Sequence, residues 1–302
     1  MYLVNGGSSG AEDGGRAATG PSTRLLVSEP LRGLADHAAL LLATPVLAAA
    51  PRGDGHGVLV LPGLFASDSS TLPLRGFLRW LGYDVRGWDL GRNHGPTDAV
   101  LAGLPRAVLD HAERTGRPVS LIGWSLGGVY AREMARRHPR KIRQIITLGS
   151  PFALKDLRQS HARGPFQRLR HLHADDADLP TLEQRAKPIS VPSTAVYSRL
   201  DGVVAWQACI EPETALHQNV EVRCSHLGFG VDPATLWLIA DRLVPIAAMR
   251  QAAARNPRWE SVILPGVGHT PMLEVPDVVT GAIRDWLART EGSTNHAATD
   301  RT

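Results

Sequence analysis

One serine of this 302-residue chain stands in a setting that suits a nucleophile. Ser125 occupies Gly123-Trp124-Ser125-Leu126-Gly127-Gly128, directly after the apolar run Val119-Ser120-Leu121-Ile122. A serine hydroxyl attacks an acyl carbon only when a base takes its proton and donors stabilise the oxyanion that forms. The pattern G-x-S-x-G supplies part of this. Small residues permit a sharp strand-to-helix turn that lifts the serine oxygen off the end of a sheet, and the next amide, that of Leu126, faces the reaction site. The base must come from elsewhere, and the chain holds 12 histidines.

The elements able to position that turn begin at Val58. From there short apolar runs alternate with longer amphipathic segments, the pattern of a parallel sheet with crossover helices. GVLVLPG predicts a strand ending in a turn, Leu72 to Leu81 a helix, and YDVRGWDL the next strand. Thr97 to Arg114 sets Val100, Leu101, Leu104, Val108 and Leu109 at helical spacing, with an irregularity expected at Pro105. RPVSLIGWS runs as a buried strand into the serine turn, and the following helix, Leu126 to His138, stops at Pro139. KIRQIITLGSPF, STAVYS and NVEVRC predict three further strands. Residues 153–188 carry Asp, Arg, His and Leu without strand signals and are expected to form a helical or irregular insertion, a lid over the strand ends.

A chain of this length with 43% hydrophobic residues can bury one large core, and one catalytic domain is expected. The 33 basic and 29 acidic residues are interspersed and no nucleic-acid motif accompanies them, so no nucleic-acid partner is expected. The densest basic run, Arg132 to Arg143, reads as a solvated helix end. Cys209 and Cys224 are too few for a disulfide scaffold, and their sequence leaves both a disulfide and two buried thiols open. Residues 1–23 read as a disordered leader without a signal peptide, and a cytoplasmic location is expected. The apolar stretch Ala38 to Ala50 includes Pro45 and is too short to span a bilayer. Docking on the domain surface is its plainer reading, and peripheral lipid contact its rival.

Taken in order, VLVLPG, GWSLGG, TLGSPF, SRLDGVV and CSHLGF resemble the α/β-hydrolase superfamily, specifically its lipase and esterase branch, over roughly Leu25 to Leu243. The resemblance implies an α/β-hydrolase fold: a mostly parallel central sheet, helices on both faces and a lid-like insertion. It implies Asp201, in SRLDGVV, as the triad acid and His226, after NVEVRC, as the base, in the chain order Ser125, Asp201, His226. The second oxyanion donor in such enzymes is the amide after a His-Gly pair. Here the pair is Pro62-Gly63, so Leu64 takes the role by position. Asp201 before Gly202 also reads as an ordinary turn pair.

Beyond His226 the chain carries a second ending of the same kind. Asp241 precedes Val244-Pro245, and His269 follows the strand-like ESVILP. His226 follows Asp201 by 25 residues and His269 follows Asp241 by 28, so either pair leaves room for a helix and a strand. Asp201 and His226 are preferred. They share the long resemblance with Ser125, they fall where the last two strands are expected, and Asp241 lies in LWLIADRL, whose periodicity is helical. The expected domains are a leader (1–23), a catalytic domain (24–243, lid 153–188), an additional hydrolase-like strand-helix segment (244–290) and a disordered tail (291–302).

His161, His171, His173, Asp175, Asp176 and Asp178 crowd the insertion. They read as a polar lid surface, and no metal site is expected. Asn93 and His94 are expected at the pocket rim, and Trp124 either shapes an acyl pocket or packs. The sequence thus leads to a serine hydrolase of carboxylic esters, acting on a small-molecule acyl ester through an acyl-enzyme on Ser125 and needing no cofactor. An acyltransferase using the same triad, or a catalytically inactive binding protein of the same fold, are the alternatives.

Overall fold

Six short apolar runs become the strands β1 (Gly57–Leu61), β2 (Asp84–Gly87), β3 (Val119–Trp124), β4 (Ile142–Leu148), β5 (Ser193–Tyr197) and β6 (His217–Glu221). The computed structural model describes residues 20–175, 180–244 and 280–281. The strands pair in the order β2-β1-β3-β4-β5-β6, every pair parallel. The chain moves outward from β1 to β2, then crosses back to lay β3 on the other side of β1. That reversal opens a crevice at the carboxyl ends of β1 and β3, where open parallel sheets bind ligands.

Alternate strand residues feed two cores. Val58, Val60, Ile122, Ile146 and Val196 point to a face covered by α3 (Leu72–Trp80) and α8 (Pro233–Leu243). Leu59, Leu61, Leu121, Ile145 and Ala195 point to the face covered by α4 (Asp98–Thr115) and α5 (Leu126–Arg137). Burial on both faces explains the nearly continuous apolar runs of β1 and β3. The Thr97 hydroxyl accepts from the Val100 amide to start α4, and Gly116, at φ 65°, ends it. Pro105 lies inside α4 without ending it. The last strand starts earlier than NVEVRC predicts. It is an edge strand of polar residues held to β5 by backbone pairing, which apolar periodicity does not register.

The basic run on α5 is not a solvated end throughout. Arg132 is fully buried, 2.8 Å from Glu211 Oε1, with its guanidinium 4.0 Å above the Phe152 ring. Upstream of the sheet, α1 (Thr23–Leu42), capped by Ser22, and α2 (Thr44–Leu47) occupy the stretch read as surface-docked; α1 begins on the last residue of the expected leader. The insertion holds the short helices α6 (Arg163–Arg168) and α7 (Leu182–Ala186). Among the described residues no helix is long and apolar enough to cross a membrane. By contacts the chain divides into Glu12–Pro245, which carries all of these elements, and Met1–Ala11 with Ile246–Thr302. Of the latter only Thr280 and Gly281, both helical, are described. The additional segment, His269 and the tail therefore lie outside the described residues.

Candidate active site

Ser125 sits between β3 and α5 at φ 53°, ψ −119°, a left-handed backbone that L-residues adopt only when their surroundings impose it. Those surroundings are visible. The Ser125 amide donates to Leu148 O at 2.8 Å, and the Ser125 carbonyl accepts from the Ser150 hydroxyl at 2.6 Å and the Gly128 amide at 3.0 Å. A Cβ on Gly123 would strike the backbone of Gly127 and Gly128, one on Gly127 the Leu61 carbonyl, and one on Gly128 the Ser150 hydroxyl. The glycines are therefore required by how closely α5 crosses β1 and β3.

Asp201 and His226 follow β5 and β6 and meet at the same edge of the sheet. Asp201 Oδ1 accepts from the amides of Val203 and Val204, both at 2.7 Å, which leaves Oδ2 facing His226 Nδ1 at 2.7 Å. A carboxylate only accepts, so Nδ1 carries a proton, and in the neutral ring Nε2 keeps its lone pair. Both side chains are buried. Burial lowers the His226 pKa, but the charge and hydrogen bond of Asp201, with the charge of Glu29, outweigh it and hold the group above its ordinary 6.5. The Trp124 indole N–H donates to the His226 carbonyl at 3.1 Å, so the residue before Ser125 anchors the histidine turn.

The turn after β1 completes the crevice. Gly63 packs on Ser125, where a Cβ would stand 3.1 Å from the serine Cβ. Leu64 follows Gly63 in this turn, and Leu126 opens α5. Phe65, at φ 61°, holds the turn open, and buried Asn93 fixes it. Asn93 Nδ2 donates to Pro62 O at 2.9 Å, its amide to Ala66 O at 2.8 Å, and its carbonyl accepts from the Phe65 amide at 2.7 Å. Asn93 is thus the brace of this turn and not a rim residue.

Other candidates fall elsewhere. Asp241 is buried within α8, 2.8 Å from Arg242 Nη1, and is carried by a helix, not by a turn after a strand. The His94 carbonyl faces His173 Nε2 at 3.0 Å. Among the described residues no group of three or more His, Cys, Asp or Glu is arranged to hold a metal; Asp176 and Asp178 lie outside them. Cys209 and Cys224 are buried free thiols whose pKa burial pushes well up. A further serine, histidine and aspartate are hydrogen-bonded in sequence, Ser120 to His56 to Asp54. Ser120 and His56 are wholly buried near the start of the strands, closed to any substrate. The insertion reaches the acid loop: His161 N donates to Val203 O at 2.9 Å, and Gln159 O accepts from Ala205 N at 2.8 Å. An apolar cleft beside Leu126 is lined by Val100, Leu104, Val129, Tyr130 and Phe166.

A parallel sheet with its serine elbow at the crossover point defines a class, and the chain belongs to it: the alpha/beta hydrolase family model matches residues 58–282, a span that includes both His226 and His269. Similar proteins include the pimeloyl-[acyl-carrier protein] methyl ester esterase of Edwardsiella ictaluri, 25% identical over 64% of this chain and 77% of the relative. The esterase of the same name from Shewanella woodyi is 24% identical over 78% of this chain and 95% of the relative. Among solved structures, one from the work on LipS and LipT, two metagenome-derived lipolytic enzymes, aligns with 67% of this chain and 96% of its own. Its TM-score is 0.49 and its identity 17%.

Proposed function

We propose that the protein is a carboxylic ester hydrolase that works through an acyl-enzyme on Ser125. Ser125 Oγ attacks the ester carbonyl while His226 Nε2 takes its proton. The amides of Leu64 and Leu126 receive the charge that develops on the carbonyl oxygen. The tetrahedral adduct collapses, the C–O bond to the alcohol breaks, and His226 returns its proton to the leaving oxygen. Water then repeats the sequence on the acyl-enzyme, releasing the acid and restoring Ser125. Asp201 holds the imidazole in the tautomer this needs and stabilises its protonated form.

The observation that carries this reading is the buried Asp201–His226 hydrogen bond at the sheet edge where the Ser125 elbow emerges. The names of the similar esterases support an ester as the substrate class. The insertion, with Phe166 of α6 bordering the apolar cleft, acts as the lid.

The test compares Ser125→Ala, His226→Ala and His269→Ala with the parent on a panel of acyl esters, together with labelling by a fluorophosphonate. The first two variants should lose on the order of 10⁴-fold in turnover, because triad members act as a unit, and His269→Ala little. Heavy loss in His269→Ala with a mild effect in His226→Ala would place the base in the second ending. A folded parent that resists the label and cleaves no ester would show a binding protein instead.

A further inference from the structure

The histidine and acid turns share a buried anion that belongs to neither. Glu29, on α1, has only 3% of its surface exposed. Its Oε1 accepts from the Gly202 amide at 2.7 Å and the His226 amide at 3.0 Å, and its Oε2 from the Leu227 amide at 3.1 Å. Gly202 follows the acid and Leu227 follows the histidine, so one carboxylate joins the backbones of both turns. Arg32, one helical turn on, donates to Glu29 Oε1 at 2.9 Å and to Leu200 O at 2.6 Å. Two turns on, Asp36 Oδ2 accepts from the Ser225 amide at 3.1 Å and hydroxyl at 2.6 Å. Glycines let the helix come so near: a Cβ on Gly202 would lie 2.5 Å from the Leu25 carbonyl, and one on Gly33 3.0 Å from Leu227 Cβ.

Asp201 and His226 stand on separate loops, and their hydrogen bond is only as well aligned as the two backbones beneath it. A buried carboxylate that gathers three amides and a guanidinium is held firmly enough to set that alignment. We propose that Glu29 is a positioning residue of the reaction, holding the Gly202 and His226 backbones in register so that Asp201 and His226 meet, and placing a second negative charge beside the imidazolium that forms. The inference rests on the assignment of Ser125, His226 and Asp201 above. Among the described residues, the charges that act on the imidazole are those of Asp201, from the loop after β5, and Glu29, from α1. Arg32 is engaged by Glu29, Asp36 by Ser225, and Asp232 by Thr235 at the start of α8.

The experiment uses the full chain as parent, Glu29→Gln, Glu29→Asp and Asp36→Asn. Hydrolysis of a short p-nitrophenyl ester is followed against pH, rates are normalised to the sites a fluorophosphonate titrates, and melting temperature is recorded. Glu29→Gln should lower kcat by roughly 10- to 100-fold with KM nearly unchanged, since misplacement of a catalytic pair acts on turnover. Its acid limb should move to lower pH as the second anion is lost. Glu29→Asp keeps the charge on a shorter arm, so its limb should stay with the parent while kcat falls. Asp36→Asn should lose thermal stability with the limb in place. A folded Glu29→Gln with parental kcat and pH profile overturns the inference. If that variant does not fold, Glu29→Asp decides, and parental kcat there overturns it equally. An active, labelled parent with unaffected variants removes this inference alone; an inactive, unlabelled parent removes the catalytic assignment with it.

Discussion

The proposed mechanism requires one side chain to be neutral when it acts. As the proposed base, His226 takes the proton of Ser125 only when it is unprotonated, and Asp201 and Glu29 hold its pKa above the ordinary 6.5 despite burial. The active fraction therefore falls as pH falls through that raised value, and kcat/KM against pH should show an acid limb with its inflection above 6.5. An inflection well below that value would mean that a different base, or a differently charged site, does the work. Ser125 was legible in sequence because the demands on it are local: its glycines lie within three residues and each is explained by a contact the elbow creates. Glu29 was not. The amides it accepts from lie 173, 197 and 198 residues away, and no spacing within α1 signals them.

Among the elements, the turn after β1 is the one whose shape depends most on a neighbour. Phe65 is held at positive φ, and three of the hydrogen bonds that keep the turn come from Asn93 in the loop after β2. Asn93→Ala removes the bond to Pro62 O and leaves a buried carbonyl without its donor, at roughly 1–3 kcal/mol. If the Leu64 amide serves the oxyanion, a loosened turn should also cut kcat by roughly tenfold or more while KM changes less. Urea unfolding and steady-state kinetics on the same preparation check both, and loss of stability with kcat intact would separate this turn from the chemistry. Periodicity predicts α3, α4, α5, α8 and the inner strands closely, but it does not mark α1, whose stretch reads only as apolar and surface-docked. The polar edge strand β6 was displaced from its expected place because backbone pairing, not apolar alternation, defines it.

For the whole molecule, acid should weaken the fold through buried imidazoles. His111, beneath β1, has its pKa pushed down to about 4, chiefly by burial and further by the Arg114 charge, with Asp84 opposing. Burial lowers His56 as well. An unfolded chain binds these protons near 6.5 and the folded one does not, so stability is complete above about 6.5 and declines as pH falls toward 4. His226, shifted upward, offsets part of this, so the comparison is with His111→Gln, whose urea midpoint should fall less steeply with acid than the parent's. Parallel curves would dismiss His111 as the source.

The alternation of strands and helices, the parallel class of sheet and the serine elbow are all legible in the residues alone, because each follows from neighbours within a few residues: apolar period, caps, and glycines that permit one sharp turn. It takes the folded chain to show that Asp201 and His226 share a hydrogen bond, that Arg132 is buried against Glu211 and that α1 delivers Glu29 beneath both turns. Such contacts join residues remote along the chain, and their free energy arises when burial removes water from both partners at once, a condition that no local pattern of residues records.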